Sequence, residues 1–440
     1  MSFQEIVTTI LDSFKKVRYK TLILLYVSTF GNPFWITEMH SLDWRFKARG
    51  EIPGNPRLVL IDIDDESSSL GPPWKLAELE KLLRPVLERH PAAVGIDLRF
   101  YGRPQNYEGD LQAFVDSLAS FSVPIVLAVP FSESQMQKPE RAFGPELQFI
   151  PSHVYFGSVA LIDPYYPEAD HVVRRVRLLM PNKNYPESQF YERSPIYAFS
   201  LQLLAAAKSI DPMQCLAELA ASGLSGPPDE YHLISYANNY RHALQKQLPQ
   251  PDNHFVDKFT SFSARTLLEQ GHAPEWRAQL TRQIHDSTIV LVGATYEKNA
   301  STEDWFRTPL SWKETISGVV VHANILNWLL RRSFISEPGR SLTFFMTLGL
   351  IILSWLVIHF MEFKKAVLIL VSVFLLYGLA AFLLFARWEI WLPLIWPLRM
   401  AIYFVLLLGI LDGILSYQWK KKLQWLMPCS NSSFLRRKRR

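Results

Sequence analysis

The stretch "RLVLIDIDDESSSLGPPW", residues 57–74, decides the fold. Its first half is a continuous apolar run of strand length, the pattern of a strand buried on both faces of a parallel sheet. The run ends in Asp62, Asp64, Asp65 and Glu66, followed by serines and a Gly-Pro-Pro turn. Next, "KLAELEKLLRPVLER" (75–89) sets Leu76, Leu79, Leu82, Leu83, Val86 and Leu87 at helical spacing, interrupted by Pro85. "AAVGIDL" (92–98) reads as a second strand, "DLQAFVDSLASF" (110–121) as a second helix and "PIVLAVP" (124–130) as a third strand. Strand and helix alternating at this spacing imply an α/β domain with a mostly parallel sheet and right-handed crossovers.

Further along, "VYFGSVALI" (154–162) and "RRVRLLM" (174–180) are expected as paired strands joined by an Asp-Pro-rich turn. "PIYAFSLQLLAAAK" (195–208) is a helix, and the proline-bearing stretch 222–260 is expected as a surface excursion. "DSTIVLVGAT" (286–295) is another buried strand, and "SGVVVHANILNWLLRR" (317–332) a helix that runs almost directly into an apolar C-terminal region.

That region holds "SLTFFMTLGLIILSWLVIHFM" (341–361), "AVLILVSVFLLYGLAAFLLF" (366–385) and a third segment over 392–417 that contains Pro397, Arg399 and Asp412. A spanning helix needs ~20 mostly apolar residues, and all three have the length. "TLILLYVSTFGNPFWI" (21–36) follows Lys15, Lys16, Arg18 and Lys20 and lacks a small-x-small cleavage site, which fits an uncleaved signal anchor. Lys/Arg placement orients the four segments: residues 1–20, the "EFKK" hairpin (362–365) and the tail 418–440 on the cytoplasmic side, residues 37–340 outside. Arg399 and Asp412 are costly in lipid and are expected to face the helix bundle.

The net charge of +5 belongs to the ends. Residues 418–440 hold eight Lys or Arg and no acid, so the stretch between the termini is net acidic and nucleic-acid binding by the body is not indicated. Cys215 and Cys429 share no metal-ligand spacing and fall on opposite sides of the expected membrane, so neither a zinc site nor an intrachain disulfide is expected.

Several motifs occur together in a fixed order: "LDWRFKARG" (42–50), "LVLIDIDDESSSLGPPW" (58–74), "HPAAVGIDLRFYG" (90–102), "FGSVALIDPYYPEADHVVRRVRLLM" (156–180), "IVLVGATYEKNASTEDWFRTPL" (289–310) and "ISGVVVHANILNWLL" (316–330). With one leading and three trailing apolar segments, the chain resembles the CHASE type 2 domain, an extracellular sensory domain associated with cyclases and histidine kinases. The resemblance covers roughly residues 40–335 and the membrane arrangement. It implies a periplasmic or extracellular input module that feeds a cytoplasmic output through the trailing helices. Only about 23 residues follow the last segment, so the expectation is a sensor without an attached output domain.

Three groups of residues are candidates for contact with a ligand or partner. Asp64 and Asp97 end predicted parallel strands, where open sheets bind ligands, and together could hold a cation through oxygen; capping of the following helix is the competing role. Asp304, Arg307 and Thr308 follow the strand 286–295 and line the same edge, with His322 on the next helix; a lone histidine on an apolar helix is more often structural. The basic cluster Arg436, Arg437, Lys438, Arg439 and Arg440 would meet anionic lipid or dock a cytoplasmic effector, while its plainer role is a topology signal. "RRVR" (174–177) reads as arginines alternating on a half-exposed strand.

No nucleophile with an oriented base is legible, and no cofactor or metal is expected. The leading expectation is a non-enzymatic sensor or regulatory subunit in a bacterial inner (plasma) membrane, with membrane lipids, a separate output protein and a second copy of itself as partners. The alternatives are a structural subunit of a membrane complex and a metal-dependent extracytoplasmic enzyme.

Overall fold

The computed structural model describes residues 33–71, 73–98, 107–129, 149–159, 161, 172–180, 196–226, 231–236, 259–270, 273–295, 305–361 and 363–403. The chain divides into two compact units, Asp43–Ser336 and Met1–Leu42 with Glu337–Arg440. Asp304, Asp412, Arg436, Arg437, Lys438, Arg439 and Arg440, and the expected segment 21–32, lie outside the described residues.

In chain order the strands are β1 (Leu58–Ile63), β2 (Ala93–Asp97), β3 (Ile125–Val129), β4 (Val154–Ser158), β5 (Arg175–Arg177), β6 (Tyr231–Leu233), β7 (Thr260–Ser263), β8 (Ile289–Ala294), β9 (Trp305–Thr308) and β10 (Ser311–Ser317). The helices are α1 (Pro33–Arg49), α2 (Leu76–Leu87), α3 (Leu111–Ala119), α4 (Phe199–Lys208), α5 (Pro212–Ala221), α6 (Ala264–Gln270), α7 (Pro274–Gln283), α8 (Gly318–Arg331), α9 (Arg340–Phe360) and α10 (Phe363–Trp388).

The larger unit is built on a six-stranded sheet in the order β7-β1-β8-β2-β3-β4. Every neighbouring pair in it is parallel. All six residues of β1 are buried, Asp62 among five apolar ones, as befits a central strand of a parallel sheet. The connections β1–β2, β2–β3 and β7–β8 all advance in the same direction across the sheet. Right-handed crossovers therefore place α2, α3, α6 and α7 on one face. Their apolar residues form one core with Val59, Ile61, Ile63, Val94, Ile96, Ile125, Leu127, Val290 and Val292. Each fully buried leucine of α2 contributes about 2 kcal/mol to that face.

The opposite face is covered by α4 and α8, and it is lined by glycines. A Cβ at Gly95 would stand 2.7 Å from Leu203 and 2.8 Å from Phe199 of α4. At Gly157 it would stand 2.5 Å from the Cα of Phe199, and at Gly293 2.5 Å from the Cβ of Val319 on α8. These three positions let helix backbones approach the sheet more closely than any side chain would allow.

Two sequence expectations are corrected. Val154–Ser158 does not pair with 174–180; it extends the main sheet in parallel beside β3, while β5 pairs antiparallel with β6. Proximity in sequence favoured a hairpin, but Gly157 gives β4 the flat surface on which the first turn of α4 rests. The stretch 222–260 is also more than an excursion. It supplies β6, and its end opens into β7, which pairs with β1 at the edge of the sheet.

Asp43 and Arg174 form a bidentate pair inside this unit, Nε to Oδ1 at 2.8 Å and Nη2 to Oδ2 at 2.7 Å, with Arg174 only 1% exposed. Arg49 reaches Ser235 at 3.0 Å and the carbonyl of Tyr236. Ile234 N–H donates to the Arg174 carbonyl at 2.9 Å, so the β5–β6 ribbon and the C-terminal part of α1 are held as one packed corner.

In the smaller unit, α9 and α10 contain Ser341–Ile358 and Lys365–Trp388, two helical stretches long and apolar enough to cross a membrane. The 26 residues of α10 measure about 39 Å at 1.5 Å per residue, more than the ~30 Å hydrocarbon layer. Leu342, Phe344, Phe345, Ile352, Leu368, Leu375 and Leu376 are exposed on them, which is not the burial of helices inside a soluble core. Residues 395–403 begin a further helix.

Candidate ligand site at the carboxyl edge of the sheet

The acids of the opening stretch lie at the carboxyl edge of the parallel sheet, the edge at which such sheets bind ligands. Register fixes their order: Ser263 of β7 pairs with Asp62 of β1, Asp62 with Gly293 of β8, and Gly293 with Asp97 of β2. Residues paired in register across parallel strands point to the same face. This row therefore faces α8, whose Val319 lies against Gly293.

Asp62 is fully buried. The Thr295 hydroxyl donates to its Oδ1, and Thr295 N–H donates to the Ile63 carbonyl at 3.0 Å, which seats the threonine over the end of β1. Burial pushes the Asp62 carboxyl up to about 7. The Thr295 hydroxyl opposes that shift, and the neighbouring Asp64 and Asp65 charges add to it. A carboxyl held at that value exchanges its proton near neutral pH.

Asp64 has a different task. It caps the 3₁₀ turn Asp65–Leu70, accepting from Ser67 N–H at 3.0 Å and from the Ser67 hydroxyl at 2.8 Å. The Ser67 oxygen in turn accepts from Arg265 N–H at 2.8 Å, in the first turn of α6. The carboxylate thus orders its own loop and, through one serine, holds the start of α6. Asp97 is half-buried at the end of β2. Because β8 lies between β1 and β2, the Asp62 and Asp97 backbones are two strand spacings apart, roughly 10 Å. Asp64 and Asp97 are not on adjacent strands.

Thr308 is fully buried at the end of β9, opposite Ser311, and Arg307 is exposed. His322 is buried on α8, edge-on to Phe199 at 5.2 Å, with its Nδ1 3.3 Å from the Ser200 hydroxyl. That hydroxyl lies 3.2 Å from the His322 carbonyl, so with its proton given there the Nδ1–H tautomer donates back to Ser200. Burial drives the imidazole down to about 3, so it is neutral at physiological pH and ties α8 to α4. The edge thus gathers Asp62, Thr295 and Asp97, and leaves His322 in a separate contact between helices. Among the described residues, no group of three or more His, Cys, Asp or Glu is placed to hold a metal ion.

Strand ends point to Asp64 ahead of Asp62, although Asp62 interrupts the apolar run "LVLIDI" and an acid inside a buried strand is itself a signal. Thr295, directly after the strand 289–294, carries no signal in the sequence, because only the pairing of β8 with β1 brings it to Asp62.

The larger unit is a parallel α/β domain with buried and half-buried acids gathered on one edge, beneath a helix that precedes an apolar C-terminal region. A family model for the CHASE2 domain matches residues 21–361, most of the chain. The chain belongs to the CHASE2 domain family, a family of sensory extracellular domains. Among curated proteins and among solved structures, no match was found.

Proposed function

We propose that the chain is an integral membrane sensor. Its α/β domain lies outside the cytoplasm of a bacterial plasma membrane and responds to a ligand or partner at the carboxyl edge. Its state passes through the trailing helices to an output protein. The observation that carries this reading is α8: its first turn rests on Gly293, in the row between Asp62 and Asp97, and only residues 332–339 separate its end from α9. A change at the edge that displaces Val319 therefore acts on the helix that leads directly toward the membrane.

Four spans are proposed, over 21–36, 341–361, 366–385 and 392–417, with both termini cytoplasmic. Glu38 supports this count: its carboxylate accepts from the backbone N–H groups of Leu394 and Ile395 at 2.8 and 2.7 Å. A shared side for the start of α1 and the start of the third C-terminal helix is what α9 and α10 require if they cross and return. Exposed Trp388 and Trp396 near that end fit an interfacial aromatic belt.

The output partner is proposed to read the helix bundle or the basic segment 418–440. Affinity capture of the intact protein from membranes tests this, with Arg436, Arg437, Lys438, Arg439 and Arg440 present and then replaced by glutamine. Loss of one cytoplasmic protein from the captured set is the expected result; an unchanged set would count against docking at the tail.

A further inference from the structure

The Glu38 contact that supports the span count also has a mechanical consequence. It is 4% exposed, on α1. Its two carboxylate oxygens accept from three successive backbone N–H groups, Leu394 at 2.8 Å, Ile395 at 2.7 Å and Trp396 at 3.2 Å. These amides open the helical stretch 395–403, where the first N–H groups have no intrahelical acceptor. A carboxylate placed there satisfies them and meets the positive end of the helix dipole. The Ser41 hydroxyl donates to Glu38 Oε1 at 3.0 Å and fixes the side chain from its own helix. On the other side, the Tyr377 hydroxyl donates to the Pro393 carbonyl at 2.5 Å, and a Cβ at Gly378 would stand 3.8 Å from Leu394. The segment leading into the third helix is thus gripped by α1 and by α10.

A helix beginning in or beside lipid has no water to solvate its first amides, so an acceptor from a neighbouring helix is the structural requirement there. Ordinary capping uses a short residue of the same chain segment. Here the cap comes from a helix more than 350 residues away in sequence, which makes it a tie between helices rather than a local stop signal.

We propose that Glu38 is an interhelical latch that makes α1 and the third C-terminal helix move as one. This rests on the membrane-sensor reading for the lipid setting of the third helix and for its meaning: α1 also carries Asp43, and the third helix precedes the basic segment 418–440, so the latch offers a second route beside α8–α9.

The test is cross-linking in membranes. The full-length chain, with Cys215 and Cys429 replaced by alanine, receives cysteines at Ser41 and Leu394; the Ser41 hydroxyl and the Leu394 backbone N–H lie 3.0 and 2.8 Å from the same Glu38 oxygen. A short bifunctional thiol reagent should join them in high yield. Glu38→Gln, which presents an amide N–H₂ to the donors, and Glu38→Ala are each expected to lower the yield at least five-fold. A cysteine pair at Lys208 and Glu218, partly exposed and joined by a 2.6 Å ion pair, serves as a control for the fold. Should Glu38→Ala fail to accumulate, Glu38→Gln carries the test alone. Unchanged yield from the 41–394 pair in the tested variant would overturn the latch. The cross-link reads the latch whether or not the chain signals, so its failure is distinguishable from failure of the sensory reading.

Discussion

Replacing Asp62 by asparagine removes a buried acid while keeping the acceptor that Thr295 uses. In the folded chain Asp62 titrates at about 7, against 3.8 as its ordinary value. Between those two values the folded state keeps a proton that the unfolded state has lost. Stability from this group is therefore fully present below about pH 4 and is lost as pH rises through 7. At 1.36 kcal/mol per pH unit, the difference amounts to about 4 kcal/mol. The asparagine variant has no proton to lose. It should match the parent in acid and exceed it by up to about 4 kcal/mol at pH 8, on the order of 10 °C in melting temperature for a unit of this size. Near-UV circular dichroism melts of both full-length proteins in detergent, from pH 4 to 8, read the difference directly, because every other titrating group is common to the two. A gap that stays constant across that range would refute the assignment of a buried, near-neutral carboxyl to Asp62.

Three further outcomes follow from the packing. Arg174→Met leaves Asp43 buried without its bidentate partner and should cost about 3–5 kcal/mol in denaturant unfolding, with Asp43→Leu in the same chain restoring much of it. Gly157→Ala forces a Cβ to 2.5 Å from the α4 backbone and should destabilise by about 1–3 kcal/mol, whereas Gly223→Ala, whose Cβ meets no atom within 4 Å but whose φ of 108° is strained, should lose only about 1 kcal/mol. Ser67→Ala removes the link from Asp64 to Arg265 and should cost about 1–3 kcal/mol, with faster amide exchange at Arg265 as its local signature.

The parallel α/β class was legible because β1, β2, β3 and β8 are apolar runs that need burial on both faces, and α2 and α3 carry unambiguous helical periodicity. The insertion of β8 between β1 and β2 was not legible. Pairing between strands 196 and 231 residues apart leaves no local trace, and "AAVGIDL" would read the same beside either neighbour. β7 was missed because "TSFS" is short and mostly polar, as an edge strand can be. At the site, the serines after Asp64 are legible as capping partners, and Ser67 does bond to it; the contacts of His322 with Ser200 and Phe199 join elements more than 100 residues apart and leave no local signal. The Glu38 and Asp43 contacts join α1 to partners far along the chain, and nothing in "TEMHSLDWRF" marks them.

Sidedness is the most direct test of the central claim. The native thiols supply half of it: Cys215 is buried and its thiol is pushed up to about 11 by that burial, so it should stay unreactive in the folded chain. Cys429 and an added cysteine at exposed Glu88 then report the two sides of the membrane. A membrane-impermeant maleimide applied to intact cells should label position 88 at once and Cys429 only after permeabilisation. Labelling of Cys429 in intact cells, with position 88 protected until the membrane is opened, would contradict an outward-facing sensory domain.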